Sequence, residues 1–80
     1  MEIVYSKHAV IRMQERKITP AEVETVVLHP DGSIKQTLDK WIYYKEIPNR
    51  IDYLIAVVSV IKKISQIEVI TVMVHFEVLR

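Results

Sequence analysis

Ser6-Lys7-His8-Ala9-Val10-Ile11-Arg12-Met13-Gln14-Glu15-Arg16-Lys17-Ile18-Thr19-Pro20-Ala21-Glu22 holds a helix start, a helix end and a second helix start in close succession. Ser6 is placed to cap the first helix, its hydroxyl accepting from a first-turn N–H that has no partner within the helix. At about 100° per residue, Ala9, Val10 and Met13 fall in one arc and form a packing stripe. His8, Arg12 and Arg16 recur at i, i+4 and i+8 and drift by only ~40° at each step, so they form a second stripe directly beside the apolar one. A stripe at the edge of a packed face can line a groove. Thr19 caps the second helix, Pro20 takes the first position where no N–H is needed, and Glu22 can return a bond to the cap backbone. Ile18 is set to staple onto Val23. The second helix then presents Val23, Val26, Val27 and Leu28 on one face and Glu22, Thr25 and His29 on the other. It is expected to stop at His29, because Pro30 biases that residue out of the helical region. Pro30-Asp31-Gly32 reads as a turn.

Outside this stretch the pattern is that of strands. Glu2 to Tyr5 is a short apolar lead-in, read as an extended segment. Ile34 to Thr37 reads as a short edge strand, and Asp39-Lys40 turns the chain into Trp41 to Ile47, rich in aromatic and β-branched residues. Pro48-Asn49 makes the next turn. Ile51 to Ile61 is apolar on both alternating faces, as in a central strand covered on both sides. Lys62-Lys63 is placed at the following turn. Ile67 to Phe76 alternates, with Ile70, Val72, Val74 and Phe76 on one side and Val69, Thr71, Met73 and His75 on the other. The expected fold class is α+β: one domain over residues 1–80, with two N-terminal helices packed on one face of a four-stranded antiparallel sheet. The other face would stay partly open.

Composition narrows the function classes. Eighty residues make one domain near the size where a single core is marginally sufficient. One Gly and three Pro argue against a linker-rich chain. A net charge of +1 gives no global attraction to nucleic acid, so an anion site must be local. The absence of Cys excludes a disulfide framework and Cys-based zinc sites, and fits a cytoplasmic setting. The longest apolar run, Tyr53 to Val58, is far short of the ~20 residues that span a bilayer, so no membrane partner is expected. His8, His29 and His75 are scattered without ligand spacing, and one Gly cannot build a phosphate loop, so no metal or cofactor is expected. The helix pair is not a DNA reader, since the second helix carries Glu22 and Glu24 and no basic residue.

The motif His8-Ala9-x-x-Arg12-Met13-x-x-Arg16-x-Ile18-Thr19, the Leu28-His29-Pro30 helix ending, the Trp41-Ile42-Tyr43-Tyr44 strand and the Val69-Ile70-Thr71-Val72 strand together resemble the bacterial and archaeal family filed as domain of unknown function 4258. The likeness covers nearly the whole chain. It implies a helix-helix-sheet layout similar to RelE-like and related ribonuclease toxins. The family usually places Gly where Lys17 stands. Lys17 therefore either holds a left-handed helix-ending conformation at a cost of about 1 kcal/mol, or the helix ends differently here.

Metal-free RNA cleavage needs a base for the 2′-hydroxyl, an acid for the leaving 5′-oxygen and cations at the phosphate. Arg12 and Arg16 suit the last task, because a guanidinium can hold phosphate oxygens bidentately. His8 is the candidate acid or base. His75, with Tyr43 or Tyr44, is the candidate second titrating group, and Lys45 or Lys62 can add charge at the RNA. Two readings follow. One is a toxin-like ribonuclease or RNA-binding domain, with His8, Arg12, Arg16 and His75 at the site, Lys45 assisting, and a small antitoxin-like protein as partner. The other is a non-catalytic interaction domain whose apolar sheet forms a homodimer or complex. Against the first stands a plainer account of the same residues: Arg12 can pair with Glu15 or Glu2, and Trp41 and the tyrosines can serve as sheet-pair residues.

Overall fold

Ser6 fixes the junction on which the architecture turns. In the computed structural model, which describes residues 2–47 and 54–75, Ser6 is extended (φ −69°, ψ 160°) and its Oγ accepts from the Ala9 N–H at 3.0 Å. The same hydroxyl donates to the Ile70 carbonyl at 3.1 Å, tying the start of the first helix to the far end of the chain. The elements run β1 (Glu2–Tyr5), α1 (Lys7–Arg16), α2 (Pro20–Leu28), β2 (Gly32–Lys35), β3 (Lys40–Glu46), β4 (Leu54–Lys63) and β5 (Gln66–Met73). The turn expected at Pro48-Asn49, the Ile51–Tyr53 start of the central strand and the Phe76 end of the last one lie outside the described residues.

Both helix ends obey local chemistry. Lys17 does adopt the left-handed conformation (φ 56°, ψ 46°), its N–H bonding to the carbonyls of Gln14 and Met13, and the Ile18 N–H follows with a 2.8 Å bond to Met13. This closes α1 without Gly and turns Ile18 into the core. Thr19 and Glu22 then form the capping box: Glu22 N–H donates to Thr19 Oγ1 at 3.2 Å and Thr19 N–H donates to Glu22 Oε1 at 2.9 Å. The second helix ends at Leu28 with His29 as its cap.

Among the described residues the sheet has five strands in the order β1-β5-β4-β3-β2, not the expected four. Strands β2 to β5 form the expected antiparallel meander, while Glu2–Tyr5 joins its far edge parallel to β5, with Glu2 opposite Gln66 and Tyr5 opposite Val69. A four-residue apolar segment carries no alternation strong enough to announce a strand, so its pairing depends on a partner distant in sequence. The edge strand on the other side is Gly32–Lys35, shifted from the expected 34–37. Lys62 and Lys63 lie within β4 rather than at its turn, which falls at Ile64-Ser65; Lys62 Nζ sits 3.4 Å from Glu68 across the ladder.

Helix α1 packs on β5, and α2 packs on β3 and β4. Under them, Ala9, Met13, Ile18, Val23, Val26 and Val27 meet Ile55, Val57, Ile67, Val69 and Val72 in one buried cluster. Val10 and Leu28 are not part of it, with 42% and 52% of their surface exposed. The buried stripe of α1 is centred on Ala9 and Met13, which leaves Val10 one residue round the helix from its centre. The opposite face of the sheet carries a second cluster, Ile42 and Val58 with Tyr44, Ile70 and Met73 against them.

The simple alternation expected for β5 fails at one point. Val58 pairs with Thr71 but Ser59 pairs with Val69, so Ile70 is an extra residue in β5. This bulge shifts the phase of the strand. Ile67 and Val69 before it and Val72 after it all face the helices, while Ile70 and Met73 join the opposite cluster.

Candidate functional site

The expected site residues lie on three parts of the chain, namely α1, β3 and the segment after β5. His8, Arg12 and Arg16 share one flank of α1, as their spacing requires; His8 and Arg16 are exposed and Arg12 is half-buried. Arg12 Nη1 lies 3.0 Å from Glu15 Oε1, an exposed i,i+3 pair. Such pairs contribute at most about 1 kcal/mol, so a phosphate can displace the carboxylate at little cost.

Lys45 belongs elsewhere. Strand β3 lies two positions from β5 in the sheet, so Lys45 is separated from the strand beneath α1 by about 10 Å of sheet. Its ammonium is 3.3 Å from Asp31 Oδ1, and the Glu46 N–H donates to Asp31 Oδ2 at 2.9 Å. That backbone donor, aided by Lys45, holds the Asp31 carboxyl below its ordinary range despite some burial. The corner stitches the turn after α2 to the end of β3.

His75 follows the end of β5 with φ 55°. Tyr43 and Tyr44, offered for the same role, point to opposite faces. Tyr43 packs toward the helices and stacks on Trp41, with ring centroids 6.3 Å apart and 14° between planes, and Lys35 Nζ is 5.9 Å from the Trp41 ring. Tyr44 lies on the opposite face, across the chain's single glycine. A Cβ at Gly32 would stand 2.0 Å from the Tyr44 hydroxyl, so only glycine admits the phenol there.

A cavity of about 420 Å³ opens on the other flank of α1, away from the basic stripe. Tyr5, Val10, Met13, Gln14, Lys17 and Ile18 line it, and Thr19 and Pro20 at the start of α2 close one end. Its volume falls within the range of small-ligand sites, and its walls are mainly apolar. The Tyr5 hydroxyl is buried without a hydrogen-bond partner among the described residues. Burial raises its pKa above the ordinary phenol value, and the negative charge of Glu24 raises it further. Sequence reasoning missed this cavity. The sequence places Val10 in the packing stripe with Ala9 and Met13, whereas the fold leaves it partly exposed on the cavity wall beside Lys17.

No helix among the described residues is long and apolar enough to cross a membrane. No curated protein and no solved structure matches the chain. A family model described as Domain of unknown function (DUF4258) matches residues 5–74.

Proposed function

We propose, for a chain that belongs to the DUF4258 family, an RNA-binding domain of toxin-like, RelE-like type that works in the cytoplasm and grips phosphates through the basic flank of α1. The observation that carries this reading is the alignment of His8, Arg12 and Arg16 along one flank of α1, with Arg12 paired among the described residues to one exposed carboxylate. Two helices followed by an antiparallel meander support the RelE-like layout, while the parallel β1 departs from the expected sheet. In this reading Arg12 and Arg16 neutralise the phosphate and His8 transfers a proton if the bound strand is cleaved, with His75 as the second titrating group. Lys45, tied to Asp31, contributes only long-range charge. An antitoxin-like partner would mask this flank.

The test is fluorescence anisotropy of a labelled single-stranded RNA over a salt series, with a gel readout of RNA length. Replacing Arg12 and Arg16 together by Ala should weaken binding about tenfold and lower the salt slope by about 1 to 2. His8→Ala should leave binding intact and stop cleavage. Binding that survives the double substitution sinks the assignment.

A second reading, a non-catalytic homodimerising domain, is favoured by the apolar cluster of Ile42, Tyr44, Val58, Ile70 and Met73 on the face opposite α1 and α2. Light scattering decides it: a strictly monomeric chain at high concentration removes the homodimer.

A further inference from the structure

The two edges of the sheet are unequally protected. The β2 edge carries Lys35 and the glycine that Tyr44 overlies. The β1 edge reads Glu-Ile-Val-Tyr, with Ile3, Val4 and Tyr5 half-buried and no basic residue. Its hydrogen-bonding parity is fixed by the parallel ladder: Glu2 N–H bonds to the Ser65 carbonyl at 2.7 Å and Ser6 N–H to the Val69 carbonyl at 2.9 Å. Residues Glu2, Val4 and Ser6 therefore point their backbone groups at β5, and Ile3 and Tyr5 point theirs away from the sheet. Among the described residues no strand lies beyond β1. An apolar strand edge with outward donors and acceptors is a template for another strand.

Tyr5 belongs to this edge and to the cavity at once. Its backbone faces outward, and its side chain, on the helix-covered face, forms a wall of the 420 Å³ space beside Val10 and Met13. A residue paired with Tyr5 on an added strand would project from that same face.

We propose that β1 and this cavity together receive an extended segment of a partner protein, paired along Ile3–Tyr5, with one apolar side chain of leucine size seated against Val10, Met13 and Ile18. The main chain supplies the hydrogen bonds and the cavity supplies the selectivity. Lys17 is among the lining residues, and an acidic residue two positions from the anchor, on the same face of the strand, has the opposite sign to it. A second copy of this chain is a poorer occupant, because a four-residue strand pairing with itself buries far less than the ~800 Å² per partner of a stable interface. This surface is independent of the basic flank of α1, so its failure leaves the RNA reading untouched.

The probe is the blocked heptapeptide Thr-Glu-Thr-Leu-Thr-Glu-Thr, titrated into the whole chain and followed by amide chemical shifts and hydrogen exchange. The expected result is saturable binding with the largest changes at Tyr5, Val10 and Lys17, and exchange at the Ile3 and Tyr5 amides slowed about tenfold or more. Replacing the peptide leucine by asparagine, or making Val10→Glu in the protein, should each weaken binding about tenfold, a 1.4 kcal/mol effect. Val10 is substantially exposed, so its variant should keep the parent melting temperature. Four outcomes overturn the proposal: no saturable change, equal affinity for the asparagine peptide, changes centred on Ile42 and Tyr44, or Ile3 and Tyr5 amides already protected by self-association without peptide.

Discussion

The two faces of the sheet are made from the same strands yet hold their apolar residues in different ways. On the helix-covered face, Ile55, Val57, Val69 and Val72 are shut in by α1 and α2. On the other, Ile42 and Val58 are almost as well buried, but by Tyr44, Ile70 and Met73, side chains that are themselves half in solvent. Burial alone therefore does not distinguish core from surface here. What differs is whether the covering groups are fixed by a second layer, and that governs how much a deletion costs.

Paired truncations give the largest test of this contrast. Ile55→Ala should cost about 3 kcal/mol, because a cavity beneath rigid helices cannot collapse. Ile42→Ala should cost about 1 to 2 kcal/mol, since its neighbours can close the gap. Urea denaturation of both variants measures the difference. Equal losses would show that the open face is as rigidly packed as the other, and an Ile42→Ala loss that grows with protein concentration would show that a second copy covers it.

An intermediate effect is expected at Gly32. Gly32→Ala must displace the Tyr44 ring, at about 1 to 2 kcal/mol, and should loosen the open face while leaving the helix-covered cluster unchanged. Ring-proton shifts of Tyr44 against those of Tyr43 report this directly. If both tyrosines move, the two faces are mechanically coupled through β3.

The smallest effect concerns the Asp31 corner, where the layers are joined. The folded state lowers the Asp31 pKa, so its contribution is present above the ordinary carboxylate value of ~3.9 and is lost as pH falls through the lower folded value. Asp31→Asn should cost about 0.5 to 1 kcal/mol near neutral pH, given its exposure. The parent and variant stability curves should converge in acid; a gap that persists below that range would mean the contribution is steric.

What was legible in the sequence follows the range of the interaction that decides it. Ser6 accepts from Ala9, Thr19 and Glu22 bond to each other, and Pro20 stands where the helix needs no N–H, all within three residues, so both helix starts could be read directly. The stripe of His8, Arg12 and Arg16 and the Arg12–Glu15 pair are likewise properties of one helix. The role of Glu2–Tyr5 was hidden because its partner lies at Gln66–Val69. The bulge at Ile70 was hidden because Ile70, Val72 and Val74 keep a regular alternation in sequence that the ladder interrupts. The adjacent charges of Lys62-Lys63 have the look of a turn, yet β4 runs on to Lys63 and the turn falls at the exposed, apolar Ile64. The cavity required Tyr5 and Lys17 to be brought together from separate elements, and no spacing rule encodes that.

The parallel pairing of β1 with β5 also bears on how the chain folds. Glu2 and Gln66 stand opposite each other, so the first ladder rung joins residues that are 64 apart. Closing so long a loop carries an entropic cost that local helix contacts do not, and a high share of such contacts slows folding. On a ribosome, β1 emerges before every other element and its partner β5 after all of them. The capped helices and the β2–β3–β4 meander can form in the interval. For that time Ile3, Val4 and Tyr5 are an unpaired apolar strand, and the last step of folding is the one that covers it.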